Sequence, residues 1–181
     1  GFMVIEAEEL ALSRGATPLA VLSGFGCSCN AYRITDSPPD GRGAYQSMAL
    51  ALEDAGLQPE DIGYINAHGT STSMNDSSES RGIRTVFGDR IDSLPVSSTK
   101  SMMGHLVAAC GAVEAILTLM AVRRGRLPQT LNLQNPDPEC TLDHIRGDPR
   151  EVVIQHGLTN AFGFGGSNGS LIFSSWSGAQ R

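Results

Sequence analysis

The chain has 181 residues, 40% of them hydrophobic, 18% charged and 6% aromatic, with 21 glycines. Its 13 basic and 19 acidic residues leave a formal net charge of −6, so no broad positive field is available for nucleic acid or an anionic membrane surface. The longest apolar stretch, 106–122, contains Glu114 and is rich in Ala and Gly, which makes it a poor membrane span; what is left is a globular domain with enough apolar content to bury a core.

Residues 6–14 have the composition of a helix, and Gly15 suits the left-handed position beyond its end. Over 19–30, apolar residues alternate with small or polar ones, as in a half-buried strand. Residues 35–43 collect Pro, Asp and Gly into a loop. A helix is expected over 44–55, with Met48, Leu52 and Ala55 on one face and Gly56 ending it; a turn at 59–61 then leads to a strand at 63–67. Asn75, Asp76 and Ser77 offer an N-cap for a helix running to about Gly88. Residues 94–97 read as a strand and 103–124 as the longest helix, with Leu106, Val113, Leu117 and Met120 at helical spacings and Arg123 and Arg124 complementing the helix dipole. A Pro-rich connection covers 125–148. Two strands at 151–159 and 170–176 flank a glycine loop; they are too close for a crossover helix and so are expected to be antiparallel. Strands separated by helices give the fold class, α/β, with helices layered on a mixed five-stranded sheet in one domain.

Cys27, Cys29, Cys110 and Cys140 form no C-x-x-C pair and no zinc-type spacing with a histidine. They read as buried or incidental thiols of a reducing compartment. Residues 1–6 lack the basic region and cleavage site of a secretory signal. They read as part of a strand, an opening expected of a piece of a longer chain.

Three segments carry chemistry. Asn66-Ala67-His68-Gly69-Thr70-Ser71-Thr72 follows directly on an expected strand, and strand C-terminal ends are where open α/β sheets place ligands. Ser97-Ser98-Thr99-Lys100-Ser101-Met102-Met103-Gly104-His105 joins an expected strand to a helix. Across its glycine, Lys100 and His105 can face one pocket near a helix N-terminus, a setting that favours a neutral His donor. The third, Asn160-Ala161-Phe162-Gly163-Phe164-Gly165-Gly166-Ser167-Asn168-Gly169, looks like a phosphate loop but fails the match: Asn168 stands where G-x-G-x-x-G needs Gly, and a strand follows instead of a helix. Its glycines suit close backbone approach and N–H donors, while Phe162 and Phe164 are either core residues or an aromatic gate. Two histidines, a lysine and a donor loop describe a place where an oxyanion or enolate is stabilised. The candidate nucleophiles Ser71 and Ser101 lie in no G-x-S-x-G elbow. For a metal, the histidines have only Asp76 and Glu79 nearby, both placed to support the next helix.

In order and spacing these segments closely resemble the signatures of the β-ketoacyl-[acyl-carrier-protein] synthases, in particular the elongating type II (KAS II) enzymes of fatty acid synthesis. The likeness spans essentially the whole chain. Modular polyketide ketosynthases are similar, but Ser71 and Gly169-Ser170 favour the dissociated fatty-acid type. The resemblance implies the C-terminal half of a thiolase-like fold over residues 1–181, with His68 and His105 binding a malonyl thioester carbonyl and assisting decarboxylation. The enolate would attack an acyl-cysteine thioester, giving a β-ketoacyl chain and CO2. The resemblance also implies that Lys100 holds the electrostatics around His68. The Phe162 N–H would be half of an oxyanion hole and its ring a gate, in one loop with Gly163 and Phe164. Asn66, Glu79 and Glu114 would support the site from beneath, a cluster linked in some members to a monovalent cation, and Thr70 and Thr72 complete the first motif. No cofactor is implied. The implied partners are an acyl carrier protein in its acyl and malonyl forms, the N-terminal half of the same enzyme, and a second copy in a homodimer, in bacterial cytoplasm or in a plastid or mitochondrion.

The family's nucleophilic cysteine, at a strand-to-helix turn of the N-terminal half, matches none of the four cysteines here. Cys110, where the family has a small residue, reads as packing; Met74 and Ala161 are mild departures. The chain is therefore expected to be inactive alone and, as half of a layered fold, to leave an apolar face uncovered. The alternatives are a polyketide ketosynthase, a stand-alone carrier-binding module, or a non-catalytic partner subunit of the chain-length-factor kind. Intact His68, Lys100 and His105 argue against the last.

Overall fold

The computed structural model describes residues 1–178. Its elements run Glu8–Ser13 (α1), Val21–Cys29 (β1), Arg42–Ala55 (α2), Ile62–Asn66 (β2), Ser73–Phe87 (α3), Pro95–Ser97 (β3), Lys100–Met103 (α4), Cys110–Arg124 (α5), Arg126–Leu127 (β4), Asp143–His144 (β5), Arg150–Glu151 (β6), His156–Gly163 (β7) and Ser167–Ser174 (β8). Six strands form one sheet in the order β1-β8-β7-β2-β3-β5. β2 is parallel to β7 and β3, and β3 to β5, whereas β7–β8 and β8–β1 are antiparallel. The expected mixed α/β sheet is present. Its strand count rises from five to six because Asp143 and His144, inside the Pro-rich connection, add a short edge strand. A separate ribbon pairs β4 with β6.

The chain changes direction at β2. It passes from β2 through α3 to β3 on one side, then from β3 through α5 back to β7 on the other. Right-handed crossovers taken in opposite directions put their helices on opposite faces of a sheet. One core accordingly joins Met48 of α2 and Ile83 of α3 to Ile65, Leu158 and Ile172. On the other face, α5 packs Val122 against Tyr64, and Ala115 and Leu119 against Phe173. The edge strand β1 lets α2 come close because Gly24 and Gly26 have no side chains: a Cβ on Gly26 would lie 2.1 Å from the Ser47 carbonyl oxygen.

Four sequence expectations are corrected. Residues 1–6 form no strand. The N-cap position of α3 is Thr72, with extended backbone, so Asn75 lies inside the helix. The helix expected over 103–124 is broken, because Gly104 adopts φ 76° and ψ 179° and α5 begins only at Cys110. The glycine loop is mostly strand: β7 runs to Gly163, β8 starts at Ser167, and only Phe164–Gly166 turns.

Apart from Arg123 and Arg124 at its end, the polar residues of α5 are Glu114 and Thr118, and both are buried. Its outward side consists of Ala112, Val113, Ile116, Leu117 and Met120, all half-buried. A helix apolar all round is built to be covered all round. At the sheet edge, on the face away from α2, Phe25 is 53% exposed. Among the described residues no helix is long and apolar enough to cross a membrane. Replacing Gly26 with Ala is expected to lower stability by about 2–3 kcal/mol, since the added Cβ meets backbone that cannot yield. Urea denaturation measures it, and a loss under about 0.5 kcal/mol would mean that α2 does not pack on β1 as described.

Candidate active site

At their C-terminal ends β7, β2 and β3 are in register, with Asn66 opposite Thr159 on one side and Ser97 on the other. The first two motifs therefore leave the sheet beside β7, where the third begins, and His68, Lys100 and Asn160 follow within a few residues of that line. Strand ends beside a reversal of strand order are where α/β sheets open a cleft.

Glu79 of α3 draws the motifs together. Its buried carboxylate accepts the His68 and Gly69 backbone N–H groups, both at 2.9 Å, and the Asn160 Nδ2 at 3.0 Å. Burial pushes its pKa above the ordinary 4.5, and the N–H donors work against that. Below His68, Lys100 Nζ lies 2.6 Å from Glu114 Oε1, and both side chains are buried. Burial likewise raises the Glu114 pKa, opposed by the Lys100 ammonium. The Asn66 amide reaches Thr99 Oγ1 at 3.3 Å and the Glu114 carbonyl at 3.4 Å.

His68 is only 5% exposed. Its ring meets His105 edge to face, 5.5 Å between centroids and 88° between planes, and meets Phe162 at 5.3 Å. Burial first, then the charges of Lys100 and His105, lower its pKa from 6.5 to about 3. His68 is therefore a neutral ring at physiological pH. His105 is solvent-exposed on the irregular stretch 104–109. Its Nδ1 accepts the Val107 N–H at 3.0 Å, so the proton of the neutral ring sits on Nε2. Val107 reaches that geometry at φ 52°, where β-branched residues are outliers.

Thr70 and Thr72 join hydroxyls at 2.9 Å on the wall of a cleft of about 750 Å³ that Lys100, His105, Asn132 and Leu133 also line. β7 pairs with β2 only as far as Thr159. Beyond it, residues 160–163 pair with β8 alone. Phe162 lies in β7 opposite Asn168, its ring packed against His68 and the core. The aromatic ring standing free in the turn is that of Phe164, 80% exposed; Gly163 ends the strand beside it.

The cluster Asn66, Glu79 and Glu114 does not fit a bound monovalent cation. Both Glu79 oxygens accept N–H groups, Asn66 Oδ1 faces Thr99, and Glu114 Oε1 holds Lys100. Only Glu114 Oε2, with no partner among the described residues, is left over, and one oxygen is far from the shell of about six that a hard cation takes. The residue sitting there as the cation is Lys100.

Reading the sequence missed three participants. Asn160 was visible only as the start of a motif, and its hold on Glu79 depends on the fold. Ser98, whose Oγ donates to the Gly69 carbonyl at 3.0 Å and whose N–H reaches Thr130 Oγ1 at 3.0 Å, ties two motifs and gave no signal. Cys110 touches His105 Nδ1 at 3.3 Å. All four cysteines are free, Cys110 and Cys140 buried, Cys27 and Cys29 exposed.

The model of the β-ketoacyl synthase C-terminal domain matches residues 19–134. The chain belongs to that family. It is 48% identical over 173 residues to 3-oxoacyl-[acyl-carrier-protein] synthase 2 of Synechocystis, covering 96% of this chain and 42% of the relative. It is 46% identical over 172 residues to the Coxiella burnetii protein of the same name, covering 95% and 42%. The chain thus spans about two fifths of the length of the curated relatives it matches. A solved β-ketoacyl synthase from Burkholderia phymatum superposes with a TM-score of 0.89 at 44% identity, over 94% of this chain and 41% of that one. A type II polyketide ketosynthase solved with its acyl-carrier protein superposes with a TM-score of 0.92 at 36% identity, over 95% and 42%. The thiolase-like ketosynthase fold expected from the motifs is thereby established for this β-ketoacyl synthase domain.

In the unfolded chain a histidine takes up its proton near 6.5, while His68 in the folded domain resists down to about 3. The unfolded state therefore binds more protons in that window, and stability falls as pH drops from 6.5 towards 3. Glu79 and Glu114, with raised pKa values, act with the opposite sign above 4.5. His68→Gln should flatten the fall below pH 6.5, read as urea midpoint against pH; an unchanged slope would mean that His68 is not the neutral buried ring described.

Proposed function

We propose that the chain is the C-terminal half of a 3-oxoacyl-[acyl-carrier-protein] synthase of fatty acid elongation, with His68 and His105 as its paired oxyanion donors. The observation that carries this reading is the edge-to-face imidazole pair, 5.5 Å between centroids, with the buried ring held neutral beside the Lys100–Glu114 pair. The substrate class is supported by the identity to curated synthases of that name.

A malonyl thioester entering along Thr70 and Thr72 would bring its carbonyl against the two rings. The bond between the carboxylate carbon and the methylene carbon breaks, CO2 leaves, and the electron pair becomes an enolate whose oxygen accepts an N–H from each histidine. Neutral donors suit this step because they stabilise charge that develops on oxygen without first being ionised. The enolate carbon then attacks an acyl group carried as a cysteine thioester, the thiolate leaves, and a β-ketoacyl thioester results. Lys100 acts through its field, keeping a proton off His68, and Glu114 neutralises it. The Phe162 N–H, in the part of β7 beyond its pairing with β2, supplies half of the oxyanion hole for the attack. The Phe162 ring, packed against His68, is the gate, in one loop with Gly163 and the exposed Phe164. Asn66 and Glu79 hold the frame.

The acyl-carrying cysteine belongs to an N-terminal half that packs on the outward side of α5, and the 181 residues alone have no turnover. Acyl carrier protein delivers both substrates, a reading supported by the ketosynthase solved with its carrier protein. The complete enzyme is a homodimer. In the enzyme carrying both halves, His68→Ala and His105→Ala should each slow release of CO2 from malonyl-carrier by about 10²–10³-fold, measured with carboxyl-labelled malonate. Unchanged release in both variants would sink the assignment.

A further inference from the structure

Cys110 is the reactive side chain nearest the histidines that the proposed chemistry leaves unused. It opens α5, is 3% exposed, and puts Sγ 3.3 Å from His105 Nδ1. The sulfur is already an acceptor, since the Leu106 N–H donates to it at 3.1 Å. Nδ1 is already an acceptor too, of the Val107 N–H at 3.0 Å. A ring nitrogen that receives an N–H has no hydrogen to give and one in-plane lone pair, so a hydrogen between sulfur and nitrogen is the thiol's and shares that lone pair with the Val107 N–H. We propose that the Cys110 S–H donates to His105 Nδ1, and that Cys110 is a positioning residue that holds the His105 ring with its proton on Nε2.

The backbone around His105 makes such a second hold useful. Residues 104–109 form no regular helix beyond one short turn, Leu106 and Val107 are exposed, and the other donor to the ring sits on Val107 at φ 52°. Cys110 is the buried, helix-anchored end of that stretch. By taking the Leu106 N–H and giving its own hydrogen to the ring, one sulfur closes residues 105–110 on themselves. An alanine there would pack as well and tie nothing. The inference rests on the reading of His105 as an oxyanion donor, but the bond itself can be tested apart from that reading.

The first measurement is the infrared S–H stretch of Cys110 in the enzyme carrying both halves, assigned by difference against Cys110→Ala and Cys110→Ser. The expected band lies below the frequency of a free thiol and moves up to it in His105→Ala. A band already at the free-thiol frequency, or no S–H band because the sulfur is a thiolate, overturns the proposal. The second measurement is malonyl-carrier decarboxylation. Cys110→Ala should lower kcat about fivefold with KM unchanged, and Cys110→Ser, which keeps a donor of similar size, should recover it to within about twofold. A Ser variant no faster than the Ala variant, or an Ala variant as fast as the parent, overturns it. A shifted S–H band in an enzyme indifferent to His105→Ala would retain the bond and discard the catalytic reading of His105.

Discussion

Glu79 places a carboxylate where the sheet stops. Past the end of β2 at Asn66 the Ala67 N–H still reaches the Ser97 carbonyl at 2.8 Å, but those of His68 and Gly69 have no strand to pair with, and buried N–H groups without partners are costly. A buried carboxylate without donors is costlier still. Each need meets the other here: Glu79 takes both N–H groups and a third hydrogen from Asn160. The bond to Asn160 fixes the end of β7, and with it Phe162, relative to His68. One side chain of α3 thus links β7 to the backbone that carries His68. Ser98 repeats the device on the other flank by binding the Gly69 carbonyl.

Beneath this frame the charges are arranged for their field more than for stability. A buried ion pair rarely repays its desolvation, and Lys100 and Glu114 are both almost fully buried. What the pair supplies is a fixed positive charge close to a buried imidazole. That charge adds to burial in keeping His68 unprotonated, and it needs a counter-ion so that the site does not carry a bare cation. The same arrangement explains why Asn66, Glu79 and Glu114 leave no cage for an external ion. The oxygens are committed to N–H groups and to the ammonium.

Much of this was legible in the residues, and the failures have physical causes. The three motifs were visible, because two of them follow directly on short apolar strands, whereas the roles of Glu79 and Glu114 came only with the family resemblance. The order of strands and helices followed from periodicity. The break at residues 104–109 was hidden because Gly, Leu, Val and Ala there fit a helix by composition. Only the left-handed Gly104 and Val107 reveal that the backbone turns its N–H groups onto His105 and Cys110. The N-cap was placed on Asn75 because Asn is a good cap, yet Thr72 has the extended backbone that starts α3. The glycines of 163–169 suggested a loop, whereas three residues turn and the rest pair. Contacts such as Ser98 with Gly69 join residues far apart in sequence and leave no local trace.

The two histidines are unevenly buried, and the outward side of α5 is apolar and half-buried. His68 sits buried just past the end of β2, an interior strand, and His105 stands in solvent on the stretch that leads directly into α5. A body that covers residues 104–108, all exposed, removes water from the second imidazole. Hydrogen bonds to a developing oxyanion strengthen when water is excluded. A surface that covered the exposed stretch beside His105 would therefore strengthen any hydrogen bond that this ring makes.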